Sequence, residues 1–213
     1  MKKIIFSLLA FSMLSFQSCS NEPGTKAIEK VESTTKHKSH ISLKTAEGKM
    51  HWTAFKFTER VGVKGTFNTI EIKESVEGHT LSEALKGIGF KIPVNGVNSN
   101  NEDRDKKLQD YFFGVMKETA TISGNFGEFK GDDKSGNCTI IINMNGLSKS
   151  VNFEYQLNEN TLALKSLIDL NNWEGEFALN SINQKCEDLH KGKDGKSILW
   201  PEVKIEIEIP VSN

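Results

Sequence analysis

PEVKIEIEIPV, Pro201 to Val211, decides the fold. Val203, Ile205, Ile207 and Ile209 alternate with Lys204, Glu206 and Glu208. In an extended chain successive side chains point to opposite faces, so this stretch reads as a strand with one dry face and one wet face.

Moving upstream, the same period of two recurs. TLALKSLIDL (161–170), VNFEYQLNEN (151–160), CTIIINMNG (138–146), TATISGNFGEF (119–129), GIGFKIPV (87–94), VGVKGTFNTIEIK (61–73) and HWTAFKF (51–57) all read as strands, the last with Phe55 and Phe57 on one face. NGLSKS is a hairpin connection joining 138–144 to 150–157. Glycines inside VGVKGTF mark a bulge, a barrel corner or a close backbone approach.

Two segments break the rhythm. In DRDKKLQDYFFGVMK, Leu108, Tyr111, Phe112, Val115 and Met116 fall at helical spacing, with Asp103 as the expected cap and Asp105 in the first turn. In SINQKCEDLHK, Ser181 and Gln184 fit a capping box and Ile182, Cys186 and Leu189 form an apolar stripe. Many short strands, two short helices and no alternation of strand with helix predict a mainly β protein. The expected architecture is an antiparallel sheet closed, or nearly closed, into a barrel that hides its edges. A barrel of about eight strands either packs itself solid or holds one slender ligand, and composition leaves both open.

The ends carry different information. MKK followed by IIFSLLAFSMLSF reads as a signal peptide over residues 1–18. FQSC then places Cys19 after small Ser18, as in a lipobox whose cysteine is acylated, although Phe16 and Gln17 depart from the favoured residues. A plain signal peptide cut near Ser18 is the alternative. Residues 19–45 are polar and mixed in charge, as a tether is, which leaves 46–213 for the folded domain. His37 and His40 lie in that tether and are expected to be solvent-exposed. Without Lys2 and Lys3 the formal charge goes from −1 to −3, too weak a balance, and with no arginine stripe, for a nucleic-acid partner. If Cys19 is acylated, Cys138 and Cys186 are the only pair that can form a disulfide; two buried thiols are the alternative.

Nothing local presents an active site. GxSxG, P-loop, HExxH and CxxC motifs are all missing from the sequence. Asp103, Asp105 and Asp110 are interleaved with Arg104, Lys106 and Lys107, which fits a charged helix start better than an acid cluster. Arg104 and Asp105 read as a half-buried pair fixing that connection. Asp188, His190 and Asp194 are poor metal ligands by spacing, and no metal, catalytic residue or cofactor is expected.

IPVNGVNSNNEDRDKKLQDYFF, Ile92 to Phe113, resembles the signature of the YceI-like family: a strand ending in a polar turn, an Asn-rich approach to Arg-Asp, a leucine, and an aromatic ending. The matching positions are Val97, Asn98, Asn101, Arg104, Asp105, Leu108, Phe112 and Phe113; Lys107 stands where a histidine is common. VGVKGTF, MNGLSKSVNFEYQL and CEDLHKGKDGKSILWPEVKIEI extend the resemblance over about 48–210, the last toward a lipoprotein branch. The resemblance implies an extended, lipocalin-like antiparallel β-barrel that binds an isoprenoid quinone or polyprenyl lipid. It makes Phe57, Phe67, Phe90, Phe126, Ile141, Phe153 and Leu164 candidate wall residues, each of which serves equally as ordinary core. It places Asn98, Asn101, Arg104, Asp105, Phe112 and Phe113 at an elbow beside the barrel mouth. The expected partners are an amphiphilic isoprenoid lipid and, through acylated Cys19, a membrane of the cell envelope, with the domain facing the periplasm as a monomer or dimer.

Overall fold

The computed structural model describes residues 40–212. The expected leader, Cys19, His37 and most of the expected tether lie outside them. Among the described residues there are twelve strands, and ten form one antiparallel sheet. In chain order these ten are β2 (Lys49–Lys56), β3 (Val61–Phe67), β4 (Glu71–Ile72), β6 (Gly89–Pro93), β7 (Val97–Asn98), β8 (Thr121–Gly131), β9 (Ser135–Met144), β10 (Leu147–Leu157), β11 (Thr161–Asp169) and β12 (Leu199–Pro210). In space the order is β4-β6-β8-β9-β10-β11-β12-β2-β3-β7. The opening stretch is therefore central: β12 pairs with β11 on one side and β2 on the other. The two sheet edges are its two-residue strands, short enough to offer little to a passing chain.

The remaining strands, β1 (Ile41–Leu43) and β5 (Val76–Gly78), pair with each other beside helix α1 (Leu81–Leu85). Leu43 is fully buried, as are Leu81 and Leu85 to within 1 %. The folded domain thus begins before residue 46: three residues expected in the tether are held by a strand pairing and a buried leucine. His40 is exposed, as expected, with Nε2 3.1 Å from Glu77.

Helix α2 (Glu102–Tyr111) starts two residues earlier than a cap at Asp103 would place it. Asn101, not Asp103, is the cap, its side-chain oxygen accepting from the Arg104 N–H at 2.8 Å. The helix stops at Tyr111, and Phe113–Val115 form a 3-10 turn. Helix α3 (Glu176–Lys185) begins well before Ser181, so the capping box is not formed; a short α4 (Glu187–His190) follows. The β9–β10 hairpin is tighter than NGLSKS suggested. Asn145 and Gly146 alone make the turn, both with positive φ, and Met144 pairs with Leu147.

The core combines sheet and helices. Trp173 is fully buried, and its indole N–H donates to the Ile142 carbonyl at 3.1 Å, which fastens the segment before α3 to β9. Cys138 and Cys186 are both buried free thiols, so the disulfide is not formed. They lie on different parts of the fold: Cys138 is mid-sheet opposite Phe153 and Phe129, whereas Cys186 caps α3. Burial pushes the Cys138 thiol up to about 12, leaving it protonated and unreactive.

Candidate functional site: the barrel cavity

Every strand of the ten-stranded sheet contributes a side chain to one cavity of about 510 Å³. A flat sheet cannot do this, so the sheet curls around the cavity as a barrel. The alternation explains the lining. On β2, Met50, Trp52, Ala54 and Lys56 face inward; on β12, Val203, Ile205, Ile207 and Ile209 do. The dry face of PEVKIEIEIPV is thus a cavity wall rather than solid core.

Two glycines make room for aromatic walls. Gly65 pairs with Trp52, and Gly124 with Phe90. A Cβ on Gly124 would stand 2.0 Å from the Ile141 carbonyl oxygen and 2.6 Å from Phe90 Cζ. The glycines therefore serve close approach, one of the readings the sequence allowed.

Of the seven expected wall residues, Phe67, Phe90, Phe126 and Phe153 line the cavity. Phe57, Ile141 and Leu164 do not. Phe57 begins the turn after β2 with φ of 64°, and its carbonyl accepts from the Trp200 indole at 2.7 Å. Ile141 lies between Ile140 and Ile142, which both line the cavity, and so points the other way. Leu164 is fully buried but packs as core. Trp52, Met50 and the isoleucines of β8, β9 and β12 were missed, although the period of two in those strands marks them.

Thr45, Met144 and Ile209, all buried, are part of the cavity wall. Where the wall reaches solvent it includes exposed Asn101 and Asp103 and Leu189, which is 59 % exposed. This is the mouth, and the elbow forms one side of it. Asn101, Arg104, Phe112 and Phe113 line it, while Asn98 and Asp105 stand behind. Asn98 binds Asn68 Oδ1 at 2.9 Å and accepts from the Asn100 N–H at 2.9 Å.

Arg104 and Asp105 do not bond each other directly; both act on buried Ser99. The Asp105 carboxylate accepts from the Ser99 N–H at 2.8 Å and its hydroxyl at 2.6 Å. Arg104 Nε donates to Ser99 Oγ at 2.7 Å and Nη2 to the Ser99 carbonyl at 3.1 Å. These charge-assisted bonds pin the elbow. The Phe112 and Phe113 rings meet edge to face with centroids 4.9 Å apart, and Phe113 then closes against Phe67.

The polar rim of the mouth is completed by Lys56, Lys107 and His190, all half-buried. His190 Nδ1 lies 3.0 Å from Asn183 Oδ1, which also accepts from the Ser197 hydroxyl. Burial, with Lys56 and Lys107 nearby, lowers the imidazole to about 4. Asp194 instead bonds Thr58 at 2.6 Å. Among the described residues, no three His, Cys, Asp or Glu side chains gather as metal ligands.

The comparisons with known proteins agree with this geometry. The family model described as "YceI-like domain" matches residues 34–211. Among solved structures, a polyisoprenoid binding domain from Saccharophagus degradans implicated in plant cell wall breakdown is similar at 13 % identity, TM-score 0.56, over 81 % of this chain and 97 % of that one. BcnA of Burkholderia cenocepacia is similar at 15 % identity and TM-score 0.58, over 80 % and 99 %. The Campylobacter jejuni YCEI protein follows at 19 % and 0.54, over 75 % and 90 %. No curated protein matches the chain.

Proposed function

The chain belongs to the YceI-like domain family, and on that premise we propose that it is a non-catalytic binding protein for an amphiphilic isoprenoid lipid of the quinone or polyprenyl class. Acylated Cys19 holds it on a membrane of the cell envelope, facing the periplasm; the leader sequence supports this part. The observation that carries the binding reading is the cavity, walled by apolar side chains from all ten strands. Its volume falls within the range of small-molecule sites.

Hydrocarbon burial supplies the driving force for a ligand. Burying hydrocarbon returns about 0.8 kcal/mol per methylene, so each isoprene unit contributes roughly 3–4 kcal/mol before ordering costs.

Two of the three tryptophans, Trp52 and Trp200, line the cavity. Titrating the full chain with an isoprenoid quinone should quench their fluorescence saturably at one equivalent. A linear, unsaturable quench would contradict the reading. A second reading, a structural or protein-interaction lipoprotein with a packed, ligand-free barrel, draws on Phe177, which is 70 % exposed on α3. It predicts no saturable quench by the quinone.

A further inference from the structure

We propose that the ligand carries an anionic head group of the phosphate-ester class, seated at the mouth between Lys56 and Lys107 beside His190. This rests on the lipid-binding reading and adds the chemistry of the head.

The mouth holds three cations, Lys56, Arg104 and Lys107, against one lining carboxylate, Asp103. They come from two elements, β2 and α2, so the convergence is a product of the fold. Among the described residues neither Lys56 nor Lys107 has an ion-pair partner, whereas adjacent Lys106 is paired with Asp110 at 2.9 Å and does not line the cavity. Lys56 ends the inward row of Met50, Trp52 and Ala54, where the alternation would otherwise put an apolar residue. Its Nζ donates to the Leu189 carbonyl at 3.0 Å and lies 4.5 Å from the centre of the Phe57 ring, two partners that carry no negative charge. Half-buried ammonium groups beside an apolar cavity carry a desolvation cost, which an anion placed between them offsets. A phosphate monoester, at about −1.5 to −2, matches two ammonium groups better than a carboxylate does.

His190 fits the same reading. Asn183 Oδ1 is an acceptor, so His190 Nδ1 carries the hydrogen and the neutral ring presents Nε2 as an acceptor. The charges bearing on the ring are Lys56 from β2 and Lys107 from α2, and both oppose protonation. On its own helix, Glu187 is paired with Lys191. A phosphate between the lysines reverses that field, so His190 takes up a proton and Nε2 becomes a third donor.

The test is calorimetric titration of the full chain at pH 6 with three probes: farnesyl phosphate, farnesol and inorganic phosphate. Farnesyl phosphate should bind at least about tenfold tighter than farnesol, through charge-assisted bonds. Binding should shift the His190 ring signals in NMR toward those of the protonated imidazole. The ratio should collapse toward one in Lys107→Gln and persist in Lys107→Arg. Equal affinity for the two prenyl probes, or a ratio that survives Lys107→Gln, overturns the head-group inference and leaves lipid binding standing. Inorganic phosphate binding as tightly as farnesyl phosphate means a free-ion site and also overturns it. If no probe binds, both readings fall.

Discussion

Gly65 lies directly beneath the indole of Trp52, its cross-strand partner: a Cβ on Gly65 would stand 2.2 Å from Trp52 Cζ2 and 2.6 Å from the Asn98 carbonyl oxygen. The indole N–H donates to the neighbouring Thr66 carbonyl at 3.1 Å, so the ring cannot slide aside without losing that bond. One glycine thereby sets the position of a cavity wall. Gly65→Ala is expected to destabilise the domain by about 1–3 kcal/mol, the usual cost of overpacking. Chemical denaturation measures the loss, and Trp fluorescence should shift with it.

Cavity-filling should separate binding from stability. Ala54 faces the space between Trp52 and Lys56 on β2. Ala54→Phe is expected to weaken quinone binding at least about tenfold, while the melting temperature stays level or rises as the new ring fills open volume. Fluorescence titration and thermal unfolding of the same sample check both halves.

The elbow makes a prediction about Ser99. Asp105→Asn removes the charge from two bonds to a residue only 5 % exposed. A stability loss of about 1–3 kcal/mol is expected. Asn101→Ala, which removes only the α2 cap, should cost about 1 kcal/mol. Urea unfolding of the two variants ranks them.

His190 makes stability depend on pH. Its native value is held near 4, below the ordinary 6.5, so between those values the unfolded chain binds more protons than the native one. By linkage the stability this group contributes is fully present above about 6.5 and is lost as pH falls toward 4. His190→Gln should flatten the midpoint-against-pH curve over that window. An unchanged curve would show that His190 does not carry it.

How much of this was legible in the sequence follows from what sets each feature. The period of two in β12 is local, so the strand, the sheet and the antiparallel class could be read directly. The aromatics of α2 were visible for the same reason. Side-chain direction after a bend was not. Phe57 continues the pattern of Phe55 in sequence, but its positive φ turns the chain out of the strand. Ile141 and Leu164 are apolar like their neighbours; only register tells cavity wall from outer face or closed core. The rim of Lys56, Lys107 and His190 joins residues more than 130 positions apart, and no spacing rule reaches that far. The choice between a disulfide and two buried thiols stayed open in the sequence for the same reason, since two cysteines say nothing of the distance between their elements.

The most direct measurement is native mass spectrometry of the full chain purified from its own envelope without detergent, followed by organic extraction of what it carries. A stoichiometric extracted mass that fragments in isoprene steps is the expected result. A bare chain mass that stays unchanged after incubation with quinones and polyprenyl lipids would contradict the account.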